Sequence, residues 1–267
     1  MYSKKWDKLC AYLENLGKAA VAFSAGVDST LLLKAAKEVL GGKVLAITAD
    51  IASSPQGELK RAESFCESIG AEHIVVRADQ LSIPGFKENP PERCYICKKA
   101  LFTELLKAAA ERGFVHVAEG TNADDTGDYR PGMKAIRELG IHSPLKEAGL
   151  TKAEIRSLSK ELGLPSWNRS SMSCLATRLP YGDEITMEKM SAIDRAEMYI
   201  RSMGIPQVRV RMHGTLARIE VVPECFEILL SHSREVAEML ESLGFKYVTM
   251  DLSGFQSGSM NKVLDLS

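Results

Sequence analysis

The 267-residue chain lacks the marks of several protein classes. It has almost no net charge: 34 basic and 35 acidic side chains leave −1. A broad polyanion-binding surface is therefore not expected, although a local basic patch is compatible with that balance. No apolar run approaches the roughly 18 residues a membrane helix needs. The stretch from Met1 to Leu16 has neither an apolar h-region nor a small-residue cleavage site, so no secretory signal is read there. The expected location is cytoplasmic, where thiols stay reduced. Internal repeats and low-complexity segments are absent from the sequence. Six cysteines, Cys10, Cys66, Cys94, Cys97, Cys174 and Cys225, make an even set that invites a disulfide framework. A reducing compartment favours metal binding or catalysis by a clustered pair instead. What is present is a globular composition, 45% hydrophobic and 26% charged, at a length suited to one large domain or two modest ones.

The first half alternates strand and helix. Apolar runs at 19–23, 44–48, 73–77 and 115–118 read as strands. Helical stretches are expected at 29–40, from Ser54-Pro55 to about Ile69, at 97–112, and from the capping box Thr151-Lys152-Ala153-Glu154 to near Gly163. This pattern implies an α/β fold, a parallel doubly wound sheet with right-handed crossovers. After about Tyr181 the pattern changes. A helix is expected at 187–203, a hairpin at 208–212 and 216–222, one long helix from Pro223 to about Leu243, and a last strand at 246–252. The expected division is 1–183 for the larger domain and 184–267 for a smaller α+β domain.

Phe23-Ser24-Ala25-Gly26-Val27-Asp28-Ser29-Thr30 lies where the first strand meets the first crossover helix. A small-residue turn there aims unpaired N–H groups and the positive helix end at an anion. It has no Walker Gly-Lys-Ser/Thr and no GxGxxG. The bland alternative is an ordinary strand-to-helix turn capped by Asp28 or Ser29. The segment resembles the SGGVDS loop of the ATP pyrophosphatase (PP-loop) group, which includes NAD, GMP and argininosuccinate synthetases and tRNA thiolases. That resemblance implies ATP held by its β,γ-phosphates and cleaved between α and β, with Mg²⁺ near Asp28. Ala25 departs from the group, which usually has glycine there. Thr48 ends the second strand, and Gly120 and Thr121 follow the fourth. Open α/β sheets bind ligands at these carboxyl ends. Gly120 reads equally as a turn glycine.

Cys94 and Cys97 form a CxxC at a helix start, and Cys174 lies in a later loop. Helix N-termini and nearby arginines, here Arg93 and Arg178, lower thiol pKa. Three readings compete: structural zinc, which wants four ligands; a redox pair; and a three-thiolate iron–sulfur site. Cys10, Cys66 and Cys225 sit on helical faces and read as core.

Several motifs then occur in order: FSAGVDST from Phe23, ENPPERCYICK from Glu88, EGTNADDTGDYRPG from Glu119, CLATRLPYGDEIT from Cys174 and GFQSGSMN from Gly254. Together they resemble the LarE-type sulfurtransferases over nearly the whole chain. The resemblance implies adenylation of the carboxylates of pyridinium-3,5-biscarboxylic acid mononucleotide by ATP. Sulfur transfer then gives the thiocarboxylates, in the making of the nickel-pincer nucleotide cofactor. With Cys94, Cys97 and Cys174 all present, the chain resembles members that carry a [4Fe-4S] cluster rather than those that sacrifice a single cysteine. The implied partners are the small-molecule nucleotide, ATP and a sulfur donor, with no nucleic acid and no membrane. A homo-oligomer, trimer or hexamer, is implied as well.

Arg209 and Arg211 alternate on one strand and share a face, as a pair for the substrate phosphate or as solvated charges. Arg178 and Arg130 are further candidates for substrate contact, and Asp128 accompanies Arg130. Glu197, His213 and Glu220 read first as solvated, and so do Lys34, Lys60 and Arg61. The competing functions are a tRNA thiolase, an ammonia-using synthetase, and a non-enzymatic ATP-binding module with structural zinc.

Overall fold

Short β-prone runs become strands when helices cover both faces. The computed structural model describes residues 4–126, 131–170 and 172–264. The chain forms two compact units: Met1–Ile51, Gln56–Asp79 and Cys94–Ser171 make one, and Ala52–Pro55, Gln80–Arg93 and Met172–Ser267 make the other.

The first unit opens with α1 (Lys4–Leu16), whose Trp6, Leu9 and Leu13 are buried at helical spacing. Then come β1 (Ala19–Ala22), α2 (Val27–Leu40), β2 (Val44–Asp50), α3 (Glu58–Ser68), β3 (Glu72–Arg77), α4 (Arg93–Glu111) and β4 (Val117–Ala118). Three further helices follow: α5 (Gly132–Glu138), α6 (Pro144–Glu147) and α7 (Lys152–Glu161). The sheet order is β3-β2-β1-β4, all parallel. Successive strand residues serve opposite faces. Val21 and Ala46 pack in a cluster with residues of α1, α2, α3 and α7. Ala20, Leu45 and Ile47 pack in a second one with Phe102, Leu105 and Ala109 of α4 and Ile136 of α5. The strand order reverses between β1 and its neighbours β2 and β4, so the crevice at their carboxyl ends is the switch point where such sheets bind ligands.

The second unit contains α8 (Met187–Ser202), β5 (Val208–His213), β6 (Leu216–Val221), α9 (Phe226–Ser231), α10 (Ser233–Ser242) and β7 (Tyr247–Met250). β5 and β6 pair antiparallel as the hairpin pattern requires, with Gly214 at φ 59 in the turn. β7 joins β6 in parallel.

Several expectations are corrected. Ser54-Pro55 does not open a helix: α3 starts at Glu58 behind Gly57, whose φ is 80. The reason is that residues 52–55 belong to the second unit, where the Ser53 N–H donates to Gln80 Oε1 at 3.1 Å. The strand expected at 115–118 shrinks to two residues, with Val115 79% exposed. The helix expected from 223 to 243 is broken at His232. There the Ser231 hydroxyl donates to the Ile228 carbonyl at 2.8 Å, and His232 Nδ1 lies 2.9 Å from the same oxygen. Side chains thus compete for an acceptor that a continuous helix would use. Sequence reading placed Cys10 on a helix, which is α1, and missed α5 and α6.

Candidate active site: a phosphate loop and a buried arginine network

The loop between β1 and α2 is built by hydroxyls. Ser29 Oγ donates to Gly26 O at 3.2 Å and accepts from the Ser24 N–H at 3.3 Å, with the Ser24 hydroxyl 3.2 Å away. Thr30 N–H donates to Gly26 O at 2.9 Å, so α2 starts immediately after Gly26. The N–H groups of Gly26, Val27, Asp28 and Ser29 have no hydrogen-bond partner among the described residues. They are a helix N-terminus left open to an anion. Ala25, the departure from glycine, sits at φ 54 in the left-handed region.

The Thr48 hydroxyl donates to Phe23 O at 2.8 Å and accepts from His73 Nε2 at 2.8 Å, which fastens β2 to the strand end that leads into the loop. Burial lowers the His73 pKa, which favours the neutral ring. Gly120 permits a close approach: a Cβ there would lie 3.0 Å from Ser29 N and 3.3 Å from Asp28 Cβ. The Thr121 hydroxyl and N–H both donate to Glu119, at 2.8 and 3.1 Å. The structure thus brings Ser24 to Thr30, Gly120 and Thr121 together at the switch point, with Thr48 behind. It also places Asn122, from the candidate segment 119–122, here, and adds Lys152 and Arg169, to which sequence reading gave no role at this loop. Asp28 accepts from Asn122 Nδ2 at 3.2 Å and is paired with the Lys152 ammonium. Lys152 is the first residue of α7, where the helix dipole disfavours a cation, and that misplacement was a readable hint. Arg169 donates to Ala25 O at 2.9 Å. Arg130 and Asp128 lie outside the described residues.

None of the six cysteines is in a disulfide. Cys94 and Cys97 lie at the start of α4, one helical turn apart, with Cys97 buried. In the other unit, the Cys174 thiol donates to the Ser53 hydroxyl at 3.0 Å, and Leu175 N–H donates to Ser53 O at 2.9 Å. Burial raises the Cys66 thiol to about 12, and burial also raises Cys10, as inert core thiols require. Among the described residues no group of three His, Cys, Asp or Glu side chains is gathered to hold a metal ion.

The second unit buries a network of charges. Glu197 is fully buried and accepts from Arg178 Nε at 2.8 Å, Arg178 Nη2 at 3.0 Å, Arg201 Nη2, and Val210 N–H at 3.1 Å. Burial opposes its ionisation, but Arg178, with Arg209 and Arg201 behind it, outweighs burial and holds the carboxyl below the usual range. Arg178, also 0% exposed, directs Nη1 to the carbonyls of Ser173 and Cys174 and to the hydroxyls of Ser173 and Thr177. Its guanidinium therefore ties the Cys174 loop to α8.

Arg209 and Arg211 do share a face, but a buried one. Arg209 stacks 5.3 Å over Phe255, and burial, then Arg178, pulls its pKa down to about 9, which leaves it charged at neutral pH. Arg211 pairs with Glu220 at 2.7 Å and donates to Thr177 O at 3.1 Å. Its Nε has no partner within the described residues. The solvated reading of Glu197, Glu220, Arg209 and Arg211 is thereby overturned: each is nearly or fully buried. His213 is at the rim, with its pKa lowered by burial and by Arg218.

No family model matches the chain. It is 41% identical over 257 residues to the pyridinium-3,5-bisthiocarboxylic acid mononucleotide synthase of Lactiplantibacillus plantarum, an alignment covering 96% of this chain and 93% of that protein. It is 42% identical over 266 residues to an uncharacterised protein of Synechocystis, across 99% of each. A partial match, 32% identical over 165 residues, joins 56% of the chain to 53% of a glutamine-hydrolysing GMP synthase component of Thermoplasma volcanium. The open loop at the switch point and the near full-length match agree, and the chain belongs to the LarE-type sulfurtransferases, the pyridinium-3,5-bisthiocarboxylic acid mononucleotide synthase family, within the PP-loop group.

Proposed function

We propose that the chain is an ATP-dependent sulfurtransferase that converts the carboxylates of pyridinium-3,5-biscarboxylic acid mononucleotide to thiocarboxylates. The 41% identity over 96% of the chain to a synthase of the bisthiocarboxylic product carries this reading. The open N–H groups of Gly26 to Ser29 hold the β,γ-phosphates, which leaves the α-phosphate as electrophile. A substrate carboxylate oxygen attacks that phosphorus, and pyrophosphate leaves with the bond to the β-phosphate's bridging oxygen broken. The resulting acyl-adenylate is attacked at carbon by a sulfur nucleophile, and AMP departs. Asp28 is the carboxylate for Mg²⁺, which offsets the charge developing on the phosphates. Thr48, Gly120 and Thr121 shape the adenosine side of the crevice.

Arg209 and Arg211 supply the pair for the substrate phosphate. Both cations are already desolvated in the protein, and an arriving dianion offsets the burial, and after it the repulsion from Arg178, that lower the Arg209 pKa. Arg178 acts from behind, by ordering residues 173–177. Residues 1–183 carry ATP activation, and residues 184–267 carry substrate binding and self-association as a trimer or hexamer.

A [4Fe-4S] cluster on Cys94, Cys97 and Cys174 is part of the proposal. Three cysteines outside any disulfide, two of them spaced one turn apart on α4, fit its donor chemistry. When bound, the cluster supplies a soft sulfide nucleophile from its open iron. The protein's own contribution is to hold Cys174 on a loop fixed at Ser53 and Arg178, and to keep the activated carboxyl from water.

Anaerobic protein with ATP, Mg²⁺ and the biscarboxylate nucleotide is expected to yield AMP, pyrophosphate and a product heavier by oxygen-to-sulfur exchange. Absence of AMP would refute the reading. Iron and acid-labile sulfide that persist in Cys94→Ala would refute the cluster alone. Loss of one H₂S from the protein per sulfur delivered would point to Cys174 as a sacrificial donor.

A further inference from the structure

We propose that Arg169 is a positioning residue for the phosphate loop, holding the Ala25 carbonyl so that the Gly26 N–H stays aimed at bound phosphate. The inference rests on the ATP reading above. Ala25 at φ 54 is strained, because a Cβ is disfavoured in the left-handed region. Glycine, usual at this place in the related group, carries no such strain. An alanine that relaxes rotates about its N–Cα bond and carries its own carbonyl with it. In a planar trans peptide the Ala25 carbonyl and the Gly26 N–H point in opposite directions. Relaxation would therefore turn away a donor meant for the anion.

Arg169 blocks that rotation. Its Nη1 donates to Ala25 O at 2.9 Å, and its Nη2 pairs with Glu58 Oε1 at 2.6 Å. Glu58 is itself held by Arg61 at 2.7 Å. The backbone of Arg169 is fastened too: its carbonyl accepts from Arg156 Nη2 at 2.7 Å, and its N–H donates to Ser166 O at 3.1 Å. A guanidinium fixed at both ends is a rigid clamp rather than a loose surface charge. The Gly26 N–H has no other partner among the described residues, so its direction is set by its peptide plane alone.

The test is a double-mutant cycle on nucleotide binding. Arg169→Gln is expected to weaken MgATP and pyrophosphate binding about tenfold, the size of one lost charge-assisted hydrogen bond. AMP, which lacks the β- and γ-phosphates proposed for the loop, is expected to bind unchanged. In an Ala25→Gly background, the same substitution is expected to weaken MgATP by less than about threefold, because the strain it opposes is gone. Equal weakening in both backgrounds would overturn the proposal, and so would loss of AMP binding alongside ATP or an unchanged ATP affinity in Arg169→Gln. Wild-type protein that bound neither ATP nor pyrophosphate would overturn the ATP reading itself, a separate result.

Discussion

Replacing Glu197 by glutamine removes one charge and keeps the shape. In the protein this carboxylate is fully buried and faces Arg178, Arg201 and the Val210 N–H. The amide oxygen of the substituted side chain can still accept from Arg178 Nε and Val210 N–H. Its NH₂ group then faces two guanidinium donors, Arg178 Nη2 and Arg201 Nη2, with nothing to accept from them. Removing one partner of a buried ion pair outright costs about 3–5 kcal/mol, and the retained oxygen lowers that to roughly 2–4 kcal/mol. At about 2–4 °C per kcal/mol, Glu197→Gln is expected to lower Tm by roughly 5–15 °C. Arg201→Met is the control. Arg201 is 19% exposed and adds to a crowd of cations, so its loss is expected to cost under about 1 kcal/mol. Scanning calorimetry reads both. Hydrogen exchange across residues 173–178 is expected to rise in Glu197→Gln, because Arg178 orders that loop only while Glu197 holds it. A Tm change below about 2 °C, or unaltered exchange, would refute the argument that this carboxylate organises the network.

Three single contacts give further expectations. Gly120→Ala places a Cβ 3.0 Å from Ser29 N, so MgATP affinity measured by calorimetry is expected to fall while the helical circular dichroism is kept. Glu154 is held down to about 2, first by Lys5 and then by Thr151. Its folded pKa lies below its ordinary 4.5, so its stabilisation is complete above pH 4.5 and is lost as pH falls from there toward about 2. Because this carboxylate is 40% exposed, solvent screens the effect, and Glu154→Gln is expected to flatten the acid limb of Tm against pH only modestly. Lys152→Met leaves Asp28 without its cation and removes a positive charge from the loop, and KM for ATP is expected to rise about tenfold with KM for the nucleotide unchanged.

What the sequence announced was local. The strand, small-residue turn and helix at Phe23 to Thr30 could be read because the chemistry and the backbone geometry lie within one segment. The capping box at Thr151 was readable for the same reason, and both of its hydrogen bonds are present. The hairpin of β5 and β6 followed from alternation and Gly214. Non-local pairings left no periodic trace. Arg178 and Glu197 are 19 residues apart, on a loop and a helix, and nothing in their spacing marks them as partners. Residues 52–55 resembled a helix start because Ser-Pro is a good local opening, yet their hydrogen bonds go to Gln80 and Cys174. Local propensity yields to such tertiary partners. The buried face of Arg209 and Arg211 was hidden for a related reason: charge predicts exposure unless the compensating carboxylates are known.

The stretch from Ser166 to Arg178 joins these observations. At one end Arg169 grips the carbonyl of Ala25 and, through Glu58, the start of α3. At the other end Arg178 is locked to Glu197 of α8 and to the carbonyls around Cys174. Along the chain, Cys174 therefore lies between two arginine anchors, one holding the Ala25 carbonyl and one belonging to the arginine network of the second unit. A reaction that first activates a carboxyl with ATP and then delivers sulfur needs both events to share one geometry. The two anchors belong to different units, so their effects are expected to differ. Loosening Arg169 is expected to act on nucleotide affinity and the first half-reaction. Loosening Arg178 or Glu197 is expected to slow the sulfur step more than pyrophosphate release. Pyrophosphate release that fell in parallel with product in Glu197→Gln would show that the two halves of the segment do not act separately.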